Sequence, residues 1–159
     1  MSSDPSLSHI DADNRASMVD VSGKAVTTRI ATAETQVTVN DTVAAQFDGH
    51  ELVSKKGPVF QTAILAGVMG AKQTSSLIPL CHPLPLDKVG IDIDFKDHTA
   101  TVRCTAKTSG RTGVEMEALT GASIAALTFY DMCKSLDPTM TIGPTRLVEK
   151  TGGKSDYQA

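Results

Sequence analysis

The chain has no cysteine pair at C-x-x-C spacing. Its three cysteines, Cys81, Cys104 and Cys133, are an odd number. That argues against a disulfide framework and reads as reduced thiols in a cytosolic setting. An excess of basic residues is missing as well. The formal net charge is −3, so there is no global positive field and a nucleic-acid partner is not indicated. A phosphate-bearing small molecule remains compatible, because it needs only a local cluster of Lys and Arg. No apolar run approaches the length of a membrane span. The first residues lack the apolar core of a secretion signal. A cytoplasmic protein without membrane contact is therefore expected. There is no G-x-G-x-x-G, so a dinucleotide fold has no support. Gly153, Lys154 and Ser155 imitate the end of a P-loop, but Val148 stands where the first glycine belongs. No helix can follow in the few residues left, and the P-loop reading fails. Internal repeats and low-complexity segments are absent too.

What is present fits one domain. A chain of 159 residues is long enough to bury a core. Its 40% hydrophobic and 21% charged content are ordinary for a globular protein. Residues 1–17 are polar and are expected to form a mobile N-terminal segment, with 18–159 as a single α+β domain. Residues 26–39, rich in Thr, Val and Ile, predict a strand. Asn40-Asp-Thr42 offers a cap before Val43 for a short helix reaching about Phe47. A loop follows, carrying Lys55 and Lys56. Pro58 suits the first turn of a helix that runs to about Lys72 and is mostly buried. Two strands, 89–95 and 100–106, form a hairpin about Asp97 and His98. The longest helix should span about 113–136, with Thr112 and Glu115 as a T-x-x-E capping box and Asp137-Pro138 as its stop. Thr141 to Val148 predicts a strand interrupted at Gly143-Pro144, and the tail from Lys150 reads as a loop. The elements mix without regular alternation, which predicts an α+β antiparallel sheet with helices packed on one face.

Three segments concentrate the chemistry. In LIPLCHPL at 77–84, prolines bracket Cys81 and His82. Proline fixes φ and donates no ladder hydrogen bond, so this is a stiff connection that can hold an imidazole in place. The second segment is TGVEMEALT at 112–120 and the third is YDMCK at 130–134. Asp131 and Lys134 stand at i, i+3 on one helix face. As a surface ion pair they would matter little, about 0.2–0.5 kcal/mol. Beside Phe129, Met132 and Cys133 they suggest a buried pair whose pKa values perturb each other. Glu115 has the cap as its ordinary account, whereas Glu117 has none. Cys81 next to His82 invites zinc or a thiol nucleophile. The other Cys and His residues do not supply zinc-ligand spacing, and neighbours in an extended segment point opposite ways. No metal site is expected.

Together these segments resemble the cyclic pyranopterin monophosphate synthase family, the molybdenum-cofactor biosynthesis protein C. MVDVS at 18–22, Lys56-Gly57, IGP at 142–144 and KTGGK at 150–154 extend the likeness from about Ser8 to Ser155. The resemblance implies a ferredoxin-like sheet and a homo-oligomer, a hexamer built as a trimer of dimers. It implies conversion of 3′,8-cyclo-7,8-dihydro-GTP to cyclic pyranopterin monophosphate with release of diphosphate. It further implies Asp131, Lys134 and Lys56 as catalytic residues. Leu80, Cys81, His82, Met116 and Glu117 become substrate contacts. Lys24, Arg29, Lys150 and Lys154 become phosphate contacts, each otherwise an ordinary solvated charge. No organic cofactor is implied, and magnesium with the triphosphate stays open. Glu117 and Asp131 lie about 21 Å apart along one predicted helix. An antiparallel two-fold pairing would unite them across subunits. The competing reading is a non-catalytic oligomeric nucleotide-binding module, which has no need for the Asp131–Lys134 pair. A zinc hydrolase built on Cys81 and His82 is the third.

Overall fold

The computed structural model describes residues 8–159. Of the segment expected to be mobile, 1–7 lie outside the described residues. Residues 8–17 fold into a small turn closed by a bridge between Ile10 and Ala16.

The sheet begins with β1 (Thr27–Thr38), within a residue of the expected strand at each end. Asn40 then caps α1 (Asp41–Ala44), its side-chain oxygen accepting from Val43 N–H at 3.0 Å. The next segment differs from the expected loop. It forms a small hairpin, β2 (Val53–Ser54) against β3 (Gly57–Pro58), with Lys55 and Lys56 at its turn. Pro58 precedes α2 (Val59–Lys72), followed by the single turn α3 (Thr74–Leu77). After the proline loop come β4 (Lys88–Lys96) and β5 (Thr99–Gly110). Asp97 and His98 turn between them with φ of 49° and 63°. Two successive positive φ values are the mark of a two-residue hairpin turn matched to strand twist. The long helix α4 spans Glu115–Cys133, and β6 (Thr141–Ile142) and β7 (Arg146–Thr151) follow. The tail is not the expected loop throughout: β8 (Tyr157–Gln158) pairs with β7.

The sheet order is β4-β5-β1-β7-β8, with β6 also on β1 and every described pairing antiparallel. Taking β1-α2-β4-β5-α4-β7 as the frame, this is the ferredoxin-like split β-α-β. Alternation decides which face is covered. Ala100, Val102, Cys104, Ala106 and Thr108 of β5 are buried, while Arg103 and Lys107 between them are exposed. Both long helices lie on the buried face, as the sequence predicts. α2 is buried along one side only: Val59, Phe60, Ala63 and Gly67 are inside, whereas Leu65 and Met69 are 66% and 65% exposed. The expectation of a mostly buried helix is corrected to that extent.

Glycine permits the closest helix contact. A Cβ at Gly121 would lie 2.5 Å from Cys104 Sγ and 3.2 Å from the Gly67 carbonyl oxygen. Small residues on α4, with Ala118, Ala122, Ala125 and Ala126 fully buried, let its axis press against both α2 and the sheet.

Candidate active site

Two cavities meet at the N-terminal end of α4. The first, of ≈ 170 Å³, is lined by Leu80, Cys81, His82, Met116 and Glu117, together with Thr112 and Gly113. All five expected substrate contacts therefore converge. The proline loop supplies three of them and the first turn of α4 two. His82 is held firmly. Its Nε2 lies 2.7 Å from the Val19 carbonyl. A carbonyl only accepts, so Nε2 carries the proton in this bond. Glu117 is 4% exposed, and burial pushes its carboxyl up from the usual range. Burial first, then the Glu117 charge, also raises the Cys81 thiol. That is opposite to what a thiolate nucleophile needs.

The second cavity, of ≈ 340 Å³, gathers Lys24, Arg29, Lys150 and Lys154 and shares Gly113 and Glu115 with the first. The four cations lie far apart in sequence, and the fold assembles them. Arg29 leaves β1 beside the end of β5, where its guanidinium donates to the carbonyls of Gly110 and Arg111 at 3.0 and 3.2 Å. Arg111 in turn donates to the Lys24 carbonyl at 3.1 Å and anchors that loop. Gly152 has φ of 85°, and a Cβ there would strike the Thr28 carbonyl. Only glycine lets the chain after β7 approach β1 this closely and bring Lys154 beside Arg29.

The expected capping box does not form. Val114 occupies the cap position without a side-chain bond. Glu115 instead meets Lys150 Nζ at 3.2 Å. A local T-x-x-E pattern is outcompeted by a cation delivered from another strand. As an acid in the first helical turn, Glu115 still complements the helix dipole.

The remaining expected residues form a separate cluster at the other end of α4. Asp131 Oδ1 accepts from Lys134 Nζ and Oδ2 from Lys56 Nζ, both at 2.8 Å. Lys56 also donates to the Asp131 carbonyl at 2.9 Å. Hydrogen bonds from Lys134 and then Lys56 hold the Asp131 carboxyl at about 2, and Asp131 raises Lys134. The burial expected here is not found. Asp131 and Lys134 are about half exposed, although Phe129, Met132 and Cys133 lie in the core. A carboxylate so stabilised is a poor proton acceptor. It is suited to fixing two ammonium groups, both available to developing negative charge.

One positioning group had no signal in the sequence. The Glu51 carboxylate accepts from Leu52 and Phe60 N–H at 2.8 and 2.7 Å and from Gln61 N–H at 3.1 Å. It caps α2 from outside the helix, satisfying donors that α2 leaves open. The same contacts fix the base of the hairpin that carries Lys56.

Fold and site together define a ferredoxin-like α+β protein with an acid-and-imidazole cavity, an adjoining cation cavity and a Lys–Asp–Lys cluster served by one helix. The MoaC family profile matches residues 18–153. A cyclic pyranopterin monophosphate synthase of Xanthomonas oryzae pv. oryzae is 54% identical over 154 residues, 96% of this chain and 93% of the relative. Proteins of the same name from Brevibacillus brevis and Geobacillus kaustophilus are 52% and 50% identical. They align over 94% and 96% of this chain, and over 92% and 95% of their own lengths. The chain belongs to the MoaC family.

Proposed function

We propose that this chain is a cyclic pyranopterin monophosphate synthase, a lyase of molybdenum-cofactor biosynthesis acting in the cytoplasm. Its substrate is 3′,8-cyclo-7,8-dihydro-GTP and its products are cyclic pyranopterin monophosphate and diphosphate. The observation that carries this reading is the joining of two unlike cavities about one helix end, in a chain about half identical to synthases of that name. The Glu117–His82 cavity suits a ring rich in N–H donors. The cavity of Lys24, Arg29, Lys150 and Lys154 suits the triphosphate. Cations at the leaving diphosphate lower the barrier by neutralising charge as it develops. No organic cofactor enters, and any magnesium would arrive on the triphosphate.

Lys56, Asp131 and Lys134 complete the site in this reading, from a second copy of the chain. Within one copy, the 14 positions from Glu117 to Asp131 span about 21 Å along the axis. An antiparallel two-fold contact brings opposite ends of two α4 helices together and generates two composite sites. The assembly we propose is a hexamer, a trimer of such dimers.

The deciding experiment is diphosphate release from the cyclic GTP-derived substrate by purified protein. Asp131→Asn keeps the size of the side chain but loses its grip on two ammonium groups. Turnover should fall by about 10²–10³-fold while melting stays near the parent. A folded Asp131→Asn protein working at the parental rate would remove the cluster from the mechanism. If the unaltered protein binds substrate without releasing diphosphate, the binding-module reading is correct instead.

A further inference from the structure

The chain segment ahead of the sheet crosses the seam between the two cavities. Ser8 lines the cation cavity and its neighbour His9 lines the acid cavity. Gly113 and Glu115, shared by both cavities, mark the same seam from the helix side. Local bonds shape the segment. Ser17 N–H donates to the His9 carbonyl at 3.0 Å, and the Asp11 carboxylate accepts from Asp13 and Arg15 N–H at 2.9 Å. Further on, the Val19 carbonyl accepts a hydrogen bond from His82 Nε2 at 2.7 Å. The stretch that presents His9 is therefore tied to the imidazole of the proline loop.

We propose that His9 is a further substrate-contacting residue, facing the junction between the ring and the phosphates of the bound molecule. The inference rests on the synthase reading. In a nucleotide triphosphate the sugar and the α-phosphate lie between base and terminal phosphates. With the ring beside Glu117 and the phosphates among Lys24, Arg29 and Lys150, the seam receives that middle portion. It is also where the cyclic phosphate must form. Imidazole is the side chain best able to give and take a proton near neutral pH, and its N–H can donate to a phosphate oxygen. The cations of the second cavity can only donate, and Glu117 lies deeper on the ring side. His9 adds a group that can do either at the junction.

Histidine labelling with diethyl pyrocarbonate, read residue by residue by mass spectrometry, tests the contact. The chain has four histidines, and His50 and His98 line neither cavity, so they serve as internal controls. Saturating GTP, and separately the cyclic GTP-derived substrate, should slow labelling of His9 with His50 and His98 unchanged. Equal labelling of His9 with and without both ligands overturns the inference. His9→Ala alters an exposed side chain and should melt like the parent, yet lose about tenfold to a hundredfold in kcat/KM for diphosphate release. A kcat/KM within about twofold of the parent also overturns it. The parent protein run alongside separates the two failures. A parent that releases no diphosphate defeats the synthase reading, while the GTP labelling still decides the contact at His9.

Discussion

Glu117 keeps a carboxyl group out of water within the first turn of α4. Burial is the main reason its pKa rises above the ordinary 4.5, with Glu115 adding repulsion and its own main-chain N–H offsetting part. The sign of the consequence follows from proton linkage. The folded state holds this proton more tightly than the unfolded chain, so stability declines as pH rises from about 4.5 through the raised folded value. Glu117→Gln removes the charge and keeps the shape. Its melting temperature should exceed the parent's at pH 7, and the difference should close as pH is lowered towards 4.5. Thermal melts of both proteins across that range check it; a gap independent of pH would mean that Glu117 is not titrating in a buried setting. The placing of Glu117 and His82 in one cavity was legible through family motifs. The work of Glu51 was not, because its partners are main-chain N–H groups that no sequence pattern marks.

At the scale of elements, the crossing of α2 and α4 against the sheet depends on missing side chains. Gly121→Ala adds a methyl group 2.5 Å from Cys104 Sγ and 3.3 Å from Ala71 Cβ. Neither neighbour is a flexible chain end. Replacing glycine in a helix ordinarily gains up to about 1 kcal/mol. Overpacking here should cost about 1–3 kcal/mol and outweigh it. A lowered urea midpoint is expected, and a raised one would show that the helices can move apart cheaply. β1, α2 and the β4–β5 hairpin were readable in the sequence, because their periodicity and punctuation are local. The failures were contacts made at long range. Glu115 looked like a capping-box acid until Lys150 arrived from β7, and the tail looked irregular until β8 found a partner in the same strand. Asp131 was expected to be buried because Phe129, Met132 and Cys133 surround it in sequence. Those three face the core, while Asp131 looks outward to Lys56 and Lys134.

For the whole molecule, the proposed composite site has a direct test in subunit mixing. A Glu117→Ala chain lacks the ring-side acid, and an Asp131→Asn chain lacks the clamp on Lys56 and Lys134. Each alone should be inactive. In mixed dimers one of the two sites would carry neither change, so partial activity should return after subunit exchange. Mixed oligomers verified by mass spectrometry but still inactive would rule against sharing. The arrangement also turns α4 into a gauge. Glu117 and Asp131 stand on nearly the same side of the helix because their separation is close to a whole number of turns. One inserted residue would swing Asp131 by about 100° and advance it by about 1.5 Å relative to Glu117. Lys56, fixed on its own hairpin, could not follow. The interval between the two acids is thus under a phase constraint that composition does not reveal. Side chains that the assembly leaves in solvent along that stretch can change, but the number of residues cannot.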